Sequence, residues 1–259
     1  MDNAKRPLPT NVGLRELVLD GWFNVPAGEL SRGLKIRATD TVVDVGCGGG
    51  EHSLFCARQG AAVIALDRDA ARLAQTEAKL KDSPAHAYRA ICTDCDPIPL
   101  PDGTADVVIC TEVLEHVADP SVILAELVRI ARPGGHLLVT VPDARSEQLV
   151  AATAPAGYFD EPNHIRVFEP GELRELMLGA GLEIISEQRM GSFWSLYMVL
   201  TWLTQPDCET LPLGNPHPIT DHWTSLWKEL QDYPGGERVR QALNELLPRT
   251  QCLVARRPG

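Results

Sequence analysis

The residues with the plainest chemical meaning stand in Val42-Val43-Asp44-Val45-Gly46-Cys47-Gly48-Gly49-Gly50-Glu51, an apolar run that breaks into glycines before a helix-like segment. Glycines at a strand end let the chain turn tightly and let a ligand approach the main chain with no Cβ in the way. A dinucleotide loop needs Gly-x-Gly-x-x-Gly, and Glu51 stands where its third glycine belongs. What remains is Asp44-x-Gly46-x-Gly48-x-Gly50. A carboxylate just ahead of the first glycine is unwelcome beside a pyrophosphate and suits a ligand carrying an ammonium or sulfonium charge.

Other groups in the chain could act on such a ligand or on its reaction partner. His164 is the candidate general base, because imidazole titrates near neutrality. The alternative is that His164 and Arg166 hydrogen-bond loop carbonyls and fix a pocket wall. Glu112 is a second candidate polar contact at the reacting centre. Cys92-x-x-Cys95 invites a redox or metal reading, but it straddles a strand end and no second pair supplies further ligands. Ordinary small buried residues are expected there, and no metal site.

These groups need a frame. Short apolar runs at Thr41–Val45, Ala62–Leu66, 87–92, 105–110 and 136–141 alternate with amphipathic segments, the sequence form of a βαβ sheet. The spacing predicts helices over 51–59, 69–81 and from Pro120, with Asp119 as cap and Pro133-Gly134-Gly135 as the stop. A short helix over 146–154, a longer one over 170–180 and strands over 182–187 and 252–255 follow. The organisation expected is a helical cap over 1–40, a ligand-binding domain over 41–190, a helical insert over 191–248 and a last strand over 249–259.

The 259 residues carry 24 basic and 35 acidic side chains, a formal charge of -11, with no basic patch. Such a surface repels a polyphosphate backbone, so no nucleic-acid partner is expected. The first ten residues lack the apolar core of a signal peptide, no run approaches the ~20 apolar residues of a membrane span, and the cysteines are not spaced as a secreted framework. A cytoplasmic location is the expectation.

The glycine pattern resembles motif I of class I S-adenosylmethionine methyltransferases, and further motifs follow in that family's order. Asp67, in Ala65-Leu66-Asp67-Arg68, matches the acid that holds the ribose hydroxyls; a carboxylate accepts both protons. Asp94, in Cys92-Thr93-Asp94-Cys95, matches the acid that accepts from the adenine amino group, with the N–H of Cys95 reaching the ring. The run from Asp106 to Val117, ending Leu114-Glu115-His116-Val117, and Arg132-Pro133-Gly134-Gly135 are similar to the fourth-strand and fifth-strand motifs of the small-molecule branch. Glu115 and His116 read as braces of a helix start. His164-x-Arg166-x-Phe168 resembles the segment such members place before the helix leading to strand six. The resemblance covers about residues 30 to 190 and the final strand.

It implies an α/β fold: a Rossmann-like, doubly wound, seven-stranded, mostly parallel sheet with a helical insert before the last strand. It implies S-adenosyl-L-methionine as cofactor and S-adenosyl-L-homocysteine as product, held by Asp44, Gly46, Cys47, Gly48, Asp67, Arg68, Asp94, Cys95 and Thr111. Methyl transfer to an oxygen, nitrogen or carbon of a small or lipid-like acceptor is the expected activity. RNA or protein methylation is the rival, opposed by the charge and by Cys110-Thr111-Glu112-Val113, which lacks a Pro-Pro-aromatic tetrad. A cofactor-binding partner subunit without transfer activity is another.

The insert holds Phe193, Trp194, Tyr197, Trp202, Trp223, Trp227 and Tyr233, seven of the chain's fourteen aromatic residues (5 Trp, 4 Tyr, 5 Phe). Its first segment is apolar nearly all round. Three uses compete: a lid over the acceptor, a dimer interface and plain packing against 223–247. Peripheral membrane contact through the insert is open, as are a monomer and a homodimer.

Overall fold

Val42, Val43 and Val45 are fully buried, as a β-branched run must be when its strand has a neighbour on each side and a helix layer on each face. The computed structural model describes residues 9–206 and 217–259. Helix α1 (Val12–Leu19) and a short antiparallel pair, β1 (Glu29–Ser31) with β2 (Leu34–Lys35), precede the main sheet. That sheet is built from β3 (Thr41–Val45), β4 (Ala62–Asp67), β5 (Tyr88–Cys92), β6 (Ala105–Thr111), β7 (Ala131–Pro142), β8 (Glu183–Met190) and β9 (Thr250–Arg256).

The strand order is β5-β4-β3-β6-β7-β9-β8, parallel except for β9, which runs antiparallel to both neighbours. The expected seven-stranded, doubly wound sheet is present. Helices α2 (Glu51–Arg58) and α3 (Ala70–Lys81) bury Phe55, Cys56, Leu73 and Leu80 against one face, where Val42, Ile109 and Leu138 point. Helices α4 (Pro120–Ile130) and α6 (Glu172–Gly179) bury Leu124, Leu127, Leu173 and Met177 against the other, with Val43, Val45 and Val108. Asp119 caps α4 through the N–H of Ser121, with Pro120 in the first turn.

The expected stop of α4 is not what ends it. Helix α4 ends at Ile130, ahead of Pro133-Gly134-Gly135, and Ala131 already pairs with Ala105. The next matched pair is Val107 with His136, so the Pro-Gly-Gly segment is a bulge in β7 rather than a helix terminator. The short helix α5 (Ala144–Val150) starts at Ala144, two residues before the expected position, because the Asp143 carboxylate caps it through the N–H of Arg145.

The insert folds as α7 (Ser192–Thr204), α8 (Pro218–Asp232) and α9 (Gly236–Leu246). The all-round apolarity of α7 is used on two sides. Phe193 and Tyr197 pack with Trp227, while Met198 and Trp202 pack with Val150 and Tyr158. Buried charge ties this unit to α1. Arg240 of α9 binds Asp20 and Glu237, with Glu16 at 3.5 Å, and Glu16 accepts from Trp227 Nε1 and Gln231 Nε2, each at 2.8 Å. Asn244 bridges Asp20 to the first N–H of α7. Removing one partner of a buried ion pair strands the others without water. Arg240→Met is therefore expected to cost ~3–5 kcal/mol in urea unfolding; a loss no larger than that of a surface substitution would contradict this role.

Candidate functional site

The strands β3, β4, β5 and β6 end on one edge of the sheet, and their last residues with the loops after them shape a cleft of about 390 Å³. β3 lies between β4 and β6, so the chain winds one way from β3 and the other way from β6; such a reversal leaves a crevice at the carboxyl ends. Gly46, Gly48, Asp67, Arg68, Asp94, Cys95 and Glu112 line this cleft, as do Val113, His116 and Asn163. Gly46 has φ +69°, and a Cβ there would sit 2.4 Å from Val113 Cγ2. Gly48 has φ +49°, and a Cβ there would enter open space. The first glycine thus packs the loop, and the second leaves room beside the backbone.

Asp67 organises the loop from below. Its Oδ2 accepts from the Gly48 N–H and its Oδ1 from the Asp69 N–H, both at 2.8 Å. Asp94 is exposed at the cleft wall, and its carboxylate receives only a long 3.4 Å contact from the Asp96 N–H. The Cys95 N–H donates to Thr93 Oγ1 at 3.1 Å, so it is already engaged locally rather than free for a ring.

Asp44 lies behind the loop, fully buried, and accepts from Ser53 Oγ at 2.6 Å. Its Oδ1 makes no hydrogen bond among the described residues, and burial pushes its carboxyl above the ordinary range. Cys47 turns into the core beside Phe55 and Val63, and burial raises its thiol to about 12. It does not line the cleft with a side chain. Cys92 is exposed and Cys95 buried, so the expectation of two buried thiols holds only for the second.

A second cavity, of about 370 Å³, adjoins the first. Its walls are mostly apolar: Leu17, Trp22, Phe23, Met190, Trp194 and Met198, with His52, Thr111, Thr140, Arg249 and Thr250 as polar points. Glu112 lines both cavities and marks where they meet. Its backbone is left-handed, with φ 54°, a conformation that costs a non-glycine residue about 1–3 kcal/mol and turns its side chain into the junction. Thr140 Oγ1 donates to Glu112 Oε1 at 2.9 Å. Burial raises the Glu112 carboxyl, with Arg249 opposing. Thr111, expected among the cofactor contacts, faces this second cavity instead.

His164 lines neither cavity. Its Nδ1 lies 2.9 Å from Glu147 Oε2, in a network where Arg249 Nη1 donates to Glu147 Oε1 at 2.7 Å and the Tyr158 hydroxyl to the same oxygen at 3.3 Å. Burial would raise Glu147, but the His164 hydrogen bond and Arg249 hold it below the usual range. The His164 ring thus pairs with a carboxylate, not with the loop carbonyl of the wall-fixing alternative. Arg166 matches it in part, donating to the Ala118 carbonyl at 3.4 Å and pairing with Glu172.

Sequence reasoning passed over His52, Trp22, Phe23, Met190 and Arg249. The only signal for His52 was its place two residues after the glycine loop. It also gave no metal-binding group, whereas Glu115, His116 and His164 bring ligand atoms within 4.8 Å of one another, a spacing that could hold a divalent cation. Glu115 is fully buried, its two oxygens accept no hydrogen bond among the described residues, and burial and then Glu112 push its carboxyl well up.

The family model for a methyltransferase domain matches residues 23–187. The "Ubiquinone biosynthesis O-methyltransferase" of Cupriavidus pinatubonensis is 33% identical over 178 residues, covering 66% of this chain and 68% of that protein. The protein of the same name from Pseudomonas paraeruginosa is 34% identical over 154 residues, covering 57% and 66%. The chain thus spans about two thirds of the length of these relatives. Among solved structures, the cyclase SpnF superposes with TM-score 0.60 at 20% identity over 95% of this chain and 82% of that one. A geranyl diphosphate C-methyltransferase from Streptomyces coelicolor, in complex with Mg²⁺, geranyl diphosphate and S-adenosyl-L-homocysteine, superposes with TM-score 0.56 at 14% identity over 86% and 72%. These two likenesses concern the fold alone.

The first cleft fits S-adenosylmethionine, which supplies a methyl group on a cationic sulfonium. The unpaired Oδ1 of Asp44 is a buried acceptor behind the loop, the Gly48 backbone is open to a ligand, and Asp67 and Asp94 add acceptors that suit hydroxyl and amino donors. Asp67→Ala is expected to weaken S-adenosylhomocysteine binding by ~1.5–3 kcal/mol in calorimetry, because it removes charged hydrogen bonds and frees Gly48. Unchanged affinity, or tight binding of NAD in its place, would contradict this assignment.

Proposed function

We propose that this chain, which belongs to the class I S-adenosylmethionine-dependent methyltransferase family, methylates a hydroxyl oxygen on a small apolar, ring-bearing acceptor. The observation that carries this is the aromatic-walled second cavity, joined to the cofactor cleft at Glu112. Trp22, Phe23, Trp194, Leu17 and Met198 offer an apolar ring its burial, and Glu112, Thr111, Thr140 and His52 offer polar contacts to a hydroxyl. The names of the similar proteins, ubiquinone O-methyltransferases, agree with oxygen as the target and a quinol-like ring as the acceptor class.

The residues then divide the work. The two apolar walls hold the acceptor and keep water from the reacting centre, a proximity effect worth up to ~7–11 kcal/mol. Glu112 stands between the two cavities and accepts from Thr140, which fixes its carboxylate. His164 acts as a positioning residue: it holds Glu147, and Glu147 holds the Arg249 guanidinium at the cavity wall.

The acceptor wall contributed by α7 and by Arg249 lies outside the segment matched by the family model. The fit to the acceptor is accordingly shaped in part by segments that the family pattern does not cover. In this reading the insert is a fixed wall of the acceptor cavity, held by its own packing.

The test is transfer of labelled methyl from S-adenosylmethionine into a panel of phenols and catechols with apolar substituents, with products identified by mass. Trp194→Ala is expected to raise the acceptor KM several-fold and leave S-adenosylhomocysteine binding intact. Trp202→Ala, at a buried residue packed with Val150 and Tyr158 that does not line the cavity, is expected instead to destabilise the fold by ~3–5 kcal/mol. No label in any hydroxyl acceptor, or an acceptor KM indifferent to Trp194, would overturn the proposal.

A further inference from the structure

We infer that His52 is the general base that takes the proton from the acceptor hydroxyl. The inference rests on the hydroxyl-acceptor reading above and adds the catalytic residue to it. His52 belongs to the first turn of α2, directly after the glycine loop, and lines the acceptor cavity together with Thr111 and Glu112. It is the only histidine that lines that cavity; His164 is held by Glu147 outside it.

The ring is held in place from three sides. Phe23 stacks on it with centroids 5.7 Å apart and planes 19° apart, and Trp22 leans against it at 5.3 Å. Thr111 Oγ1 lies 3.4 Å from Nδ1. In the tautomer that directs Nδ1–H at Thr111, the lone pair is on Nε2, which makes no hydrogen bond among the described residues. A base needs a free lone pair, and this tautomer provides one on Nε2.

The surroundings keep the ring neutral at the start of the reaction. Burial among Trp22 and Phe23 lowers its pKa, while Asp44 from β3 and Glu51 from its own helix oppose. The first turn of a helix also disfavours a cation. Glu112 and Arg249 are the remaining charged groups that line the cavity. The step balances simply. The acceptor O–H bond breaks with its electron pair left on oxygen, and the proton bonds to Nε2. The imidazolium then gives that proton to water and returns to the neutral form.

The experiment compares the intact protein with His52→Gln, which keeps a side chain able to bond Thr111 but cannot titrate. The first readout is independent of turnover. In the protein loaded with S-adenosylhomocysteine, the imidazole NMR signal missing from His52→Gln should titrate below the ordinary range and shift when 4-nitrocatechol is added. The second readout is kcat with the best hydroxyl acceptor of the panel. His52→Gln should lose about 10²–10⁴-fold near neutrality with S-adenosylhomocysteine affinity unchanged, and the deficit should shrink as the pH nears the acceptor's own ionisation. A His52 signal indifferent to the catechol, a loss under about tenfold, or a deficit that stays constant with pH each overturns the inference while leaving the hydroxyl reading intact. An intact protein that methylates no hydroxyl acceptor overturns the hydroxyl reading, and this inference falls with it.

Discussion

The functional architecture depends on one topological constraint: β3 pairs in parallel with β4 on one side and β6 on the other. Right-handed crossovers then place α2 and α3 on one face of the sheet and α4 on the other, and the loops leaving β3 and β6 diverge. The crevice between them is where Gly46, Gly48, Asp67, Asp94 and Glu112 converge from four strand ends. Gly46 and Gly48 share one loop, whereas Asp67, Asp94 and Glu112 come from distant stretches of the chain. The sheet brings them together, and the buried valines of β3 hold it there.

The second constraint is electrostatic. Glu112, Glu115 and Glu147 are three carboxyl groups in a poorly hydrated region, and Arg249 is the cation that offsets them. The uneven result has a physical order. Glu147 has Arg249, Tyr158 and His164 as partners and stays ionised readily, whereas Glu115 has no hydrogen-bond partner among the described residues, with His116 Nε2 at 3.7 Å, and favours its proton. Glu112 lies between these extremes at the meeting point of the two cavities. A low-dielectric junction of this kind strengthens every polar contact made inside it.

The cofactor half of the site was legible in the sequence because it is local. Asp44, Gly46 and Gly48 sit on one strand–loop–helix turn, Asp67 ends the buried apolar strand β4, and Asp94 follows the more exposed edge strand β5. The acceptor half was much less legible. Its walls come from α1, the segment before β1, the end of β8, α7 and the residues before β9, and no periodicity links Leu17, Trp22, Met190, Trp194 and Arg249. His164 drew the role of base from its residue type and sequence neighbours, but long-range packing placed Glu147 against its Nδ1. The insert's aromatic residues are mostly buried or half-buried, with Tyr233 exposed, and their division between two packing clusters and a cavity wall follows only from how α7 crosses α5 and α8.

The central claim is that the two cavities form one path, with the cofactor's reactive end and the acceptor's oxygen meeting beside Glu112. A crystal structure of the protein with S-adenosylhomocysteine and a bound catechol tests it most directly. The account predicts the adenosyl group over Asp67 and Asp94, the sulfur at the Glu112 junction, and the catechol ring between Trp22, Phe23 and Trp194 with a hydroxyl toward the sulfur. A sulfur directed away from Glu112, or a catechol bound outside the second cavity, would contradict it.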